Sequence, residues 1–269
     1  MSLTLSSLLF AILAVSQTAG AGSPLHSSRG DALRLTVVFN NVSDLPGLTP
    51  GWGFSCVVEG LERTLLFDSG SDGGVLLDNL RRMKIHPQAI EAVFLSHIHG
   101  DHTGGLDELL AAHADLEVWL PAEFPTSFQR AITETGARVR PVSAGGRLFG
   151  SACSSGPLGD GIVEQALILD TPQGLVVITG CAHPGIARIA ETALRLTGKR
   201  IHLLMGGFHL MAASHEEIAE SILRLQALGV QRIAPSHCTG EQAIAQFRQA
   251  WGKDFVEGGL GAVIEVGPH

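Results

Sequence analysis

Charge is scarce in this sequence. Asp, Glu, Lys and Arg make up 16% of its 269 residues, against 45% hydrophobic residues. That balance excludes a disordered chain and leaves ample material for a core. No dense run of Lys or Arg occurs and the formal net charge is −8, so the footprint of a nucleic-acid binder is missing. A small phosphorylated molecule bound locally stays compatible with that charge. Cysteine is also sparse: Cys56, Cys153, Cys181 and Cys238 form no CxxC pair and no dense framework, and a domain of this size needs none. A long hydrophobic run is absent too. The apolar stretch at 8–15 is too short to span a bilayer comfortably. Followed by Ala19-Gly20-Ala21, it reads as a secretory signal peptide over 1–22, although no Lys or Arg precedes it. No cysteine follows the run to carry a lipid, so no stable membrane anchor is expected. The protein is expected to be exported, periplasmic or secreted, or cytoplasmic if the segment is no signal.

What is present is a punctuated alternation of elements. After a Ser/Gly/Pro-rich linker at 23–31, one domain over 32–269 is expected. Short β-branched apolar runs at 33–39, 54–59, 64–68 and 91–96 predict strands, with helices over 75–83 and from 105 to 113. The second half repeats the theme. Strands are predicted at 165–169 and 175–180 (a hairpin), 201–207, 232–235 and 262–266, and helices at 185–196 and 243–251. Ser214 to Glu217 is an S-x-x-E capping box ahead of another helix. Strands first and then alternating strands and helices, twice over, predict an α/β chain folded as a four-layer αββα sandwich.

The chemistry concentrates at one strand end. Ser96-His97-Ile98-His99-Gly100-Asp101-His102-Thr103-Gly104-Gly105 packs three imidazoles and a carboxylate between residues 97 and 102. In an extended segment His97 and His99 share a side, and Gly100 then lets the chain turn Asp101 and His102 inward. Ligands of these types at this density suit a divalent metal, zinc first and iron or manganese next. The plainer alternative is a polar loop capping the strand. Later histidines also end strands. His183, before Pro184-Gly185, offers a third imidazole to the first site, and His237 offers another before Cys238-Thr239-Gly240. His209 is read as a ligand or as a substrate-contacting acid/base. Cys181 is read either as a thiolate donor or as a buried inert thiol behind the ligands. Cys238 is expected to face away from His237, because adjacent strand residues alternate. His26, His86, His113, His202, His215 and His269 are scattered and read as surface or structural residues.

His97-x-His99-x-Asp101-His102 resembles the signature of the metallo-β-lactamase superfamily. The resemblance implies His97 and His99 on one metal, and Asp101, His102 and the last ligand His237 on a second. It also implies that Asp68, in the segment LLFDSG, sits behind a ligand histidine and orients it. Three further segments, TGCAHPGI (179–186), GGFHL (206–210) and SHCTG (236–240), are similar to a branch known as dihydropterin ribofuranosyl-aminobenzene phosphate synthases. Many members of the superfamily carry a bridging Asp in this half. Here Gly180-Cys181 or Phe208-His209 stands in its place, so two metals would sit with more uncompensated positive charge.

A His-rich site with an open position acidifies bound water. The first expectation is therefore a metallohydrolase holding one or two divalent ions. It would use a metal-bound hydroxide on an ester, lactone or phosphoester of a small molecule, with Asp101 orienting the water. Amide N–H groups of the helix starting near Thr239 would suit an anionic group of the substrate. The branch resemblance implies a transferase instead, condensing a pterin diphosphate with a ribosyl-aminobenzene phosphate. An export signal conflicts with a cytosolic intermediate, which places the transferase second and a non-catalytic metal binder third.

Overall fold

The computed structural model describes residues 32–42 and 45–267, so the expected signal peptide and linker lie outside the described residues. The chain opens with β1 (Leu33–Asn40), β2 (Phe54–Glu59) and β3 (Leu65–Phe67), which pair antiparallel. The pattern then changes to alternation: α1 (Gly73–Arg82), β4 (Ala92–Phe94), the one-turn α2 (Gly100–Thr103), α3 (Leu106–Ala112), β5 (Glu117–Pro121), α4 (Thr126–Glu134) and β6 (Arg138–Val142). Strands β3 to β6 run parallel, as helical crossovers require. The second half contains β7 (Gly146–Phe149), β8 (Ala152–Ser154), β9 (Leu167–Thr171) and β10 (Gly174–Thr179), followed by α5 (Ile186–Thr197), β11 (Ile201–Gly207), α6 (His215–Ala227), β12 (Arg232–Ser236), α7 (Glu241–Trp251) and β13 (Val263–Val266).

Two sheets result, ordered β13-β1-β2-β3-β4-β5-β6 and β12-β11-β10-β9-β8-β7. The strands are apolar on both faces because each sheet is covered on both sides. Leu35, Val37, Cys56 and Phe67 of the first sheet meet Ile178, Leu203 and Met205 of the second in the central core. Val38, Val57 and Leu66 turn the other way, under Leu76, Leu80, Leu109 and Ile132 of α1, α3 and α4. Val177, Leu204 and Ile233 do the same beneath Ile189, Ile222 and Phe247 of α5, α6 and α7. Three apolar layers separate four layers of structure, which is the αββα sandwich expected. The capping box forms as read: Ser214 Oγ accepts from Glu217 N (3.3 Å) and Glu217 Oε2 from Ser214 N (2.7 Å).

The predicted strands and helices fall within a few residues of the observed ones. The segment from 114 to 164, left without elements above, holds β5, α4, β6, β7 and β8. Parallel pairing of β10, β11 and β12 brings Thr179, Gly206 and Pro235 level. The residues after these strands therefore emerge together at one rim, the usual place for a site in parallel sheets.

Candidate metal centre

The segments that leave strand ends supply most of the functional side chains. Asp68 follows β3 and is fully buried with φ of 51°. Its Oδ1 accepts from Ser96 N (2.7 Å) and its Oδ2 from Ser96 Oγ (2.7 Å) and His102 Nδ1 (2.7 Å). The carboxylate thus ties the end of β3 to the segment that leaves β4. Ala182, His209 and His237 also hold left-handed backbone, with φ of 61°, 55° and 51°. Each such residue costs roughly 1–2 kcal/mol, a cost that persists only where the surroundings fix it.

The hydrogen bonds assign the imidazole tautomers. Ser96 Oγ gives its proton to Asp68, so it accepts from His97 Nδ1 (2.9 Å) and leaves His97 Nε2 as a bare lone pair. His102 commits Nδ1–H to Asp68 in the same way. His237 commits Nδ1–H to Asn41 Oδ1 at 2.7 Å. The three Nε2 atoms point toward one another's neighbours. His102 Nε2 lies 3.2 Å from Cys181 Sγ and 3.5 Å from Asp101 Oδ2, and His237 Nε2 lies 3.3 Å from the same Asp101 oxygen. His99 Nδ1 is 3.2 Å from His97 Nε2. Two buried atoms, His183 Nε2 and His237 Nε2, have no hydrogen-bond partner at all. A buried polar atom left bare costs about 1–3 kcal/mol, and a cation would relieve it. Donors turned outward and lone pairs turned inward are what a divalent ion requires.

The donors fall into overlapping groups whose ligand atoms lie within 4.8 Å of one another: His97, His99 and Asp101; His97, Cys181 and His183; Asp101, His102, Cys181 and His237. His97, His99, Asp101, His102, His183 and His237 are thus brought together. His209 is placed differently from a ligand of those groups. It is exposed, its ring centroid lies 4.4 Å from that of His183, and it clusters with Cys181 and Cys238. Cys238 stands in a donor group apart from that of His237, although not through strand alternation. Strand β12 ends at Ser236, His237–Thr239 form a single turn of 3-10 helix, and Cys238 swings inward to donate to Cys181 O at 3.6 Å. The remaining described histidines stay apart; His202 bonds Gln231 and His215 bonds Gln246.

The loop carrying Cys181 and His183 is held by one side chain. Glu164 is fully buried and accepts four consecutive backbone N–H groups. Its Oε1 takes those of Gly180, Cys181 and Ala182 (3.1, 3.0 and 2.9 Å), and its Oε2 takes that of His183 (2.9 Å). Burial pushes its carboxyl up to about 7 against the pull of those N–H groups. Gly180 brings this loop onto the first sheet: a Cβ there would stand 2.1 Å from Ser96 Oγ and 3.0 Å from Asp68 Oδ2.

The local fields prepare the donors. Burial, followed by the neighbouring His102, His183 and His99, drives His97 far below its usual range, so it stays neutral and able to ligate. Burial and then His209 lower His183 to about 4. His102 moves the other way: burial opposes it, but Asp68 and Asp101 raise it to about 10, and the same carboxylates strengthen its basicity toward a cation. Burial would raise Asp101 as well, yet His102 and His237 hold it below the ordinary carboxylate range. A hydrogen bond with Cys238 raises His209.

Sequence reasoning missed Asn41, Trp52 and Glu164. Trp52 lies between two glycines, is 46% exposed and packs its ring 4.9 Å from that of His237. The available signals were a polar pair directly after a strand (Asn40-Asn41) and a carboxylate beside an apolar one. Two hollows flank the donors. One, of about 310 Å³, is reached by His183 and His209; the other, of about 860 Å³, is lined by Asn41, Met211, His237 and Gly240 at the start of α7.

Comparison with known proteins agrees with this fold. The family model described as the metallo-beta-lactamase superfamily matches residues 48–237. The chain is 27% identical to the 7,8-dihydropterin-6-methyl-4-(beta-D-ribofuranosyl)-aminobenzene-5'-phosphate synthase of Methanocaldococcus jannaschii, over 81% of this chain and 92% of that one. Among solved structures, a metal-dependent hydrolase of the beta-lactamase superfamily superposes with a TM-score of 0.74 at 27% identity, covering 88% of this chain and all (100%) of the other. The fold is shared with YhfI of Bacillus subtilis, at a TM-score of 0.62 and 16% identity over 87% of this chain and 100% of that one.

Proposed function

The chain belongs to the metallo-beta-lactamase superfamily, and from that premise we propose that it is a divalent-metal-dependent hydrolase of an ester, lactone or phosphoester bond in a small molecule. The observation that carries this reading is the orientation of the imidazoles: His97, His102 and His237 spend their Nδ1–H outward and turn their Nε2 atoms inward toward the other donors. His97, His99 and His183 would hold one ion, and Asp101, His102 and His237 a second. Bound there, a divalent cation acidifies water and polarises an acyl or phosphoryl oxygen.

The protein's own groups do the rest. Asp101 is half-buried, with its Oδ2 between His102 and His237, and is held as a carboxylate, so it orients a water at the mouth of the site. His209 is exposed, and a hydrogen bond with Cys238 favours its protonated form, so it would serve as the acid toward a departing oxygen. The hollow of about 860 Å³ is large enough for a small-molecule substrate. Trp52 packs an apolar ring against His237, and the first turn of α7 offers amide N–H groups to an anion.

A second reading is favoured by one finding, the similarity to the Methanocaldococcus synthase over most of both chains. Under it the same donors would assist departure of a diphosphate rather than attack by water. Metal-loaded protein assayed against ester, lactone and phosphodiester panels, beside the pterin diphosphate and aminobenzene pair, separates the two. Turnover within the hydrolysable panels is expected, and condensation of the pterin pair with no hydrolysis of any panel member would overturn the hydrolase reading.

A further inference from the structure

We propose that Cys181 is the sulfur bridge of a two-metal centre and that it makes the centre selective for zinc over manganese. This rests on the dinuclear hydrolase reading above. Two side chains belong to more than one side of the donor set. Asp101 is shared between His97–His99 and His102–His237, and Cys181 is shared between His97–His183 and Asp101–His102–His237. They differ in depth. The Asp101 side chain is 18% exposed and stands at the open mouth. Cys181 is 4% exposed and forms the floor, with Sγ 3.2 Å from His102 Nε2.

The backbone is built to keep the sulfur there. Glu164 holds the N–H of Cys181 and of the residues on either side of it. Cys238 donates to Cys181 O from the opposite side. Gly207 makes room for the Cys238 sulfur and the Cys181 backbone, since a Cβ there would stand 2.7 Å from Cys238 Sγ and 3.2 Å from Cys181 Cα. Such complete fixation is more than an inert thiol in a core needs.

Charge gives the second argument. Among the donors of these groups Asp101 is the one carboxylate. Two dications facing neutral imidazoles and a single carboxylate would leave a large unbalanced charge in a buried site, which is strongly unfavourable. On metal binding the Cys181 thiol releases its proton to solvent, and the thiolate forms one bond to each ion. A thiolate is a soft donor. It favours zinc, whereas manganese and magnesium prefer carboxylate, carbonyl and water oxygens.

The full chain loaded with zinc, read by zinc-edge X-ray absorption, is expected to show sulfur at about 2.3 Å, the length of a zinc–thiolate bond. Loaded with cobalt(II) instead, it is expected to take up two ions and show a thiolate-to-cobalt charge-transfer band in the near ultraviolet. The band should survive Cys238→Ser and vanish in Cys181→Ser. Cys181→Asp should keep two ions without the band and shift the zinc-to-manganese affinity ratio toward manganese by about tenfold or more. Two bound ions with no sulfur scatterer, or a band that follows Cys238 instead of Cys181, would overturn the bridge and leave the hydrolase reading standing. A wild-type chain that takes up neither zinc nor cobalt would overturn both.

Discussion

The two halves of the molecule organise their ligands in opposite ways. In the first half one segment after β4 carries His97, His99, Asp101 and His102, and the buried carboxylate behind it, Asp68, grips a ligand side chain directly through His102 Nδ1. In the second half Cys181, His183 and His237 ride on separate loops after β10 and β12. The buried carboxylate there, Glu164, touches only backbone N–H groups. The first half sets the orientation of donors that the chain already holds together. The second half sets the path of the chain, and its donors follow.

The largest effect should come from breaking the first device. Asp68→Ala strands the buried Ser96 N–H and the His102 imidazole, so it should cost about 3–5 kcal/mol in urea unfolding of the metal-free protein. A loss below about 1 kcal/mol would remove the first side of the comparison. Chelation comes next. With free zinc at about 1,000 times its dissociation constant, stripping the ion should lower stability by about 4 kcal/mol, seen as a fall in melting temperature. Hydrogen exchange should then rise more at the amides of 180–183 than at those of 97–102, because separate loops lose more order than one continuous segment.

Glu164→Gln tests the second device. An amide can replace one acceptor oxygen but not both, so at least one N–H of the loop loses its partner, at about 1–3 kcal/mol. Zinc affinity measured by competition with a chelating dye should fall about 10- to 100-fold, while the His102–Asp68 pair stays intact. The smallest effect belongs to Ser214→Ala, which removes the cap of α6 away from the donors. It should cost about 1 kcal/mol by denaturation and leave zinc affinity unchanged.

The same contrast explains what could be read from the amino-acid order. His97 to His102 were legible because their geometry is local: an extended chain and one turn suffice to make them converge. His183 and His237 were legible as histidines at strand ends, but their convergence depends on β10, β11 and β12 lying side by side, which no single segment states. The place of Cys238 beside Cys181 and His209 was not legible, because alternation stops at Ser236, where the left-handed φ of His237 breaks it. Glu164 and Asn41 left little trace, since a lone polar residue beside a strand has no period. The strands β5 and β6 hid behind Pro121 and Pro141, which weaken a strand pattern; β6 tolerates its proline at the edge of its sheet.

Gly180 gives the contrast a practical edge. It offers no atom to an ion, yet its hydrogen faces Ser96 Oγ and Asp68 Oδ2 where a methyl group has no room. A side chain at that position must displace Ser96 or the loop itself at the rim where the ligands meet. A survey of single substitutions scored by zinc retention would therefore rank this residue beside the imidazoles. The resulting map of intolerance would trace a seam between two halves of a protein as clearly as it traced a metal site.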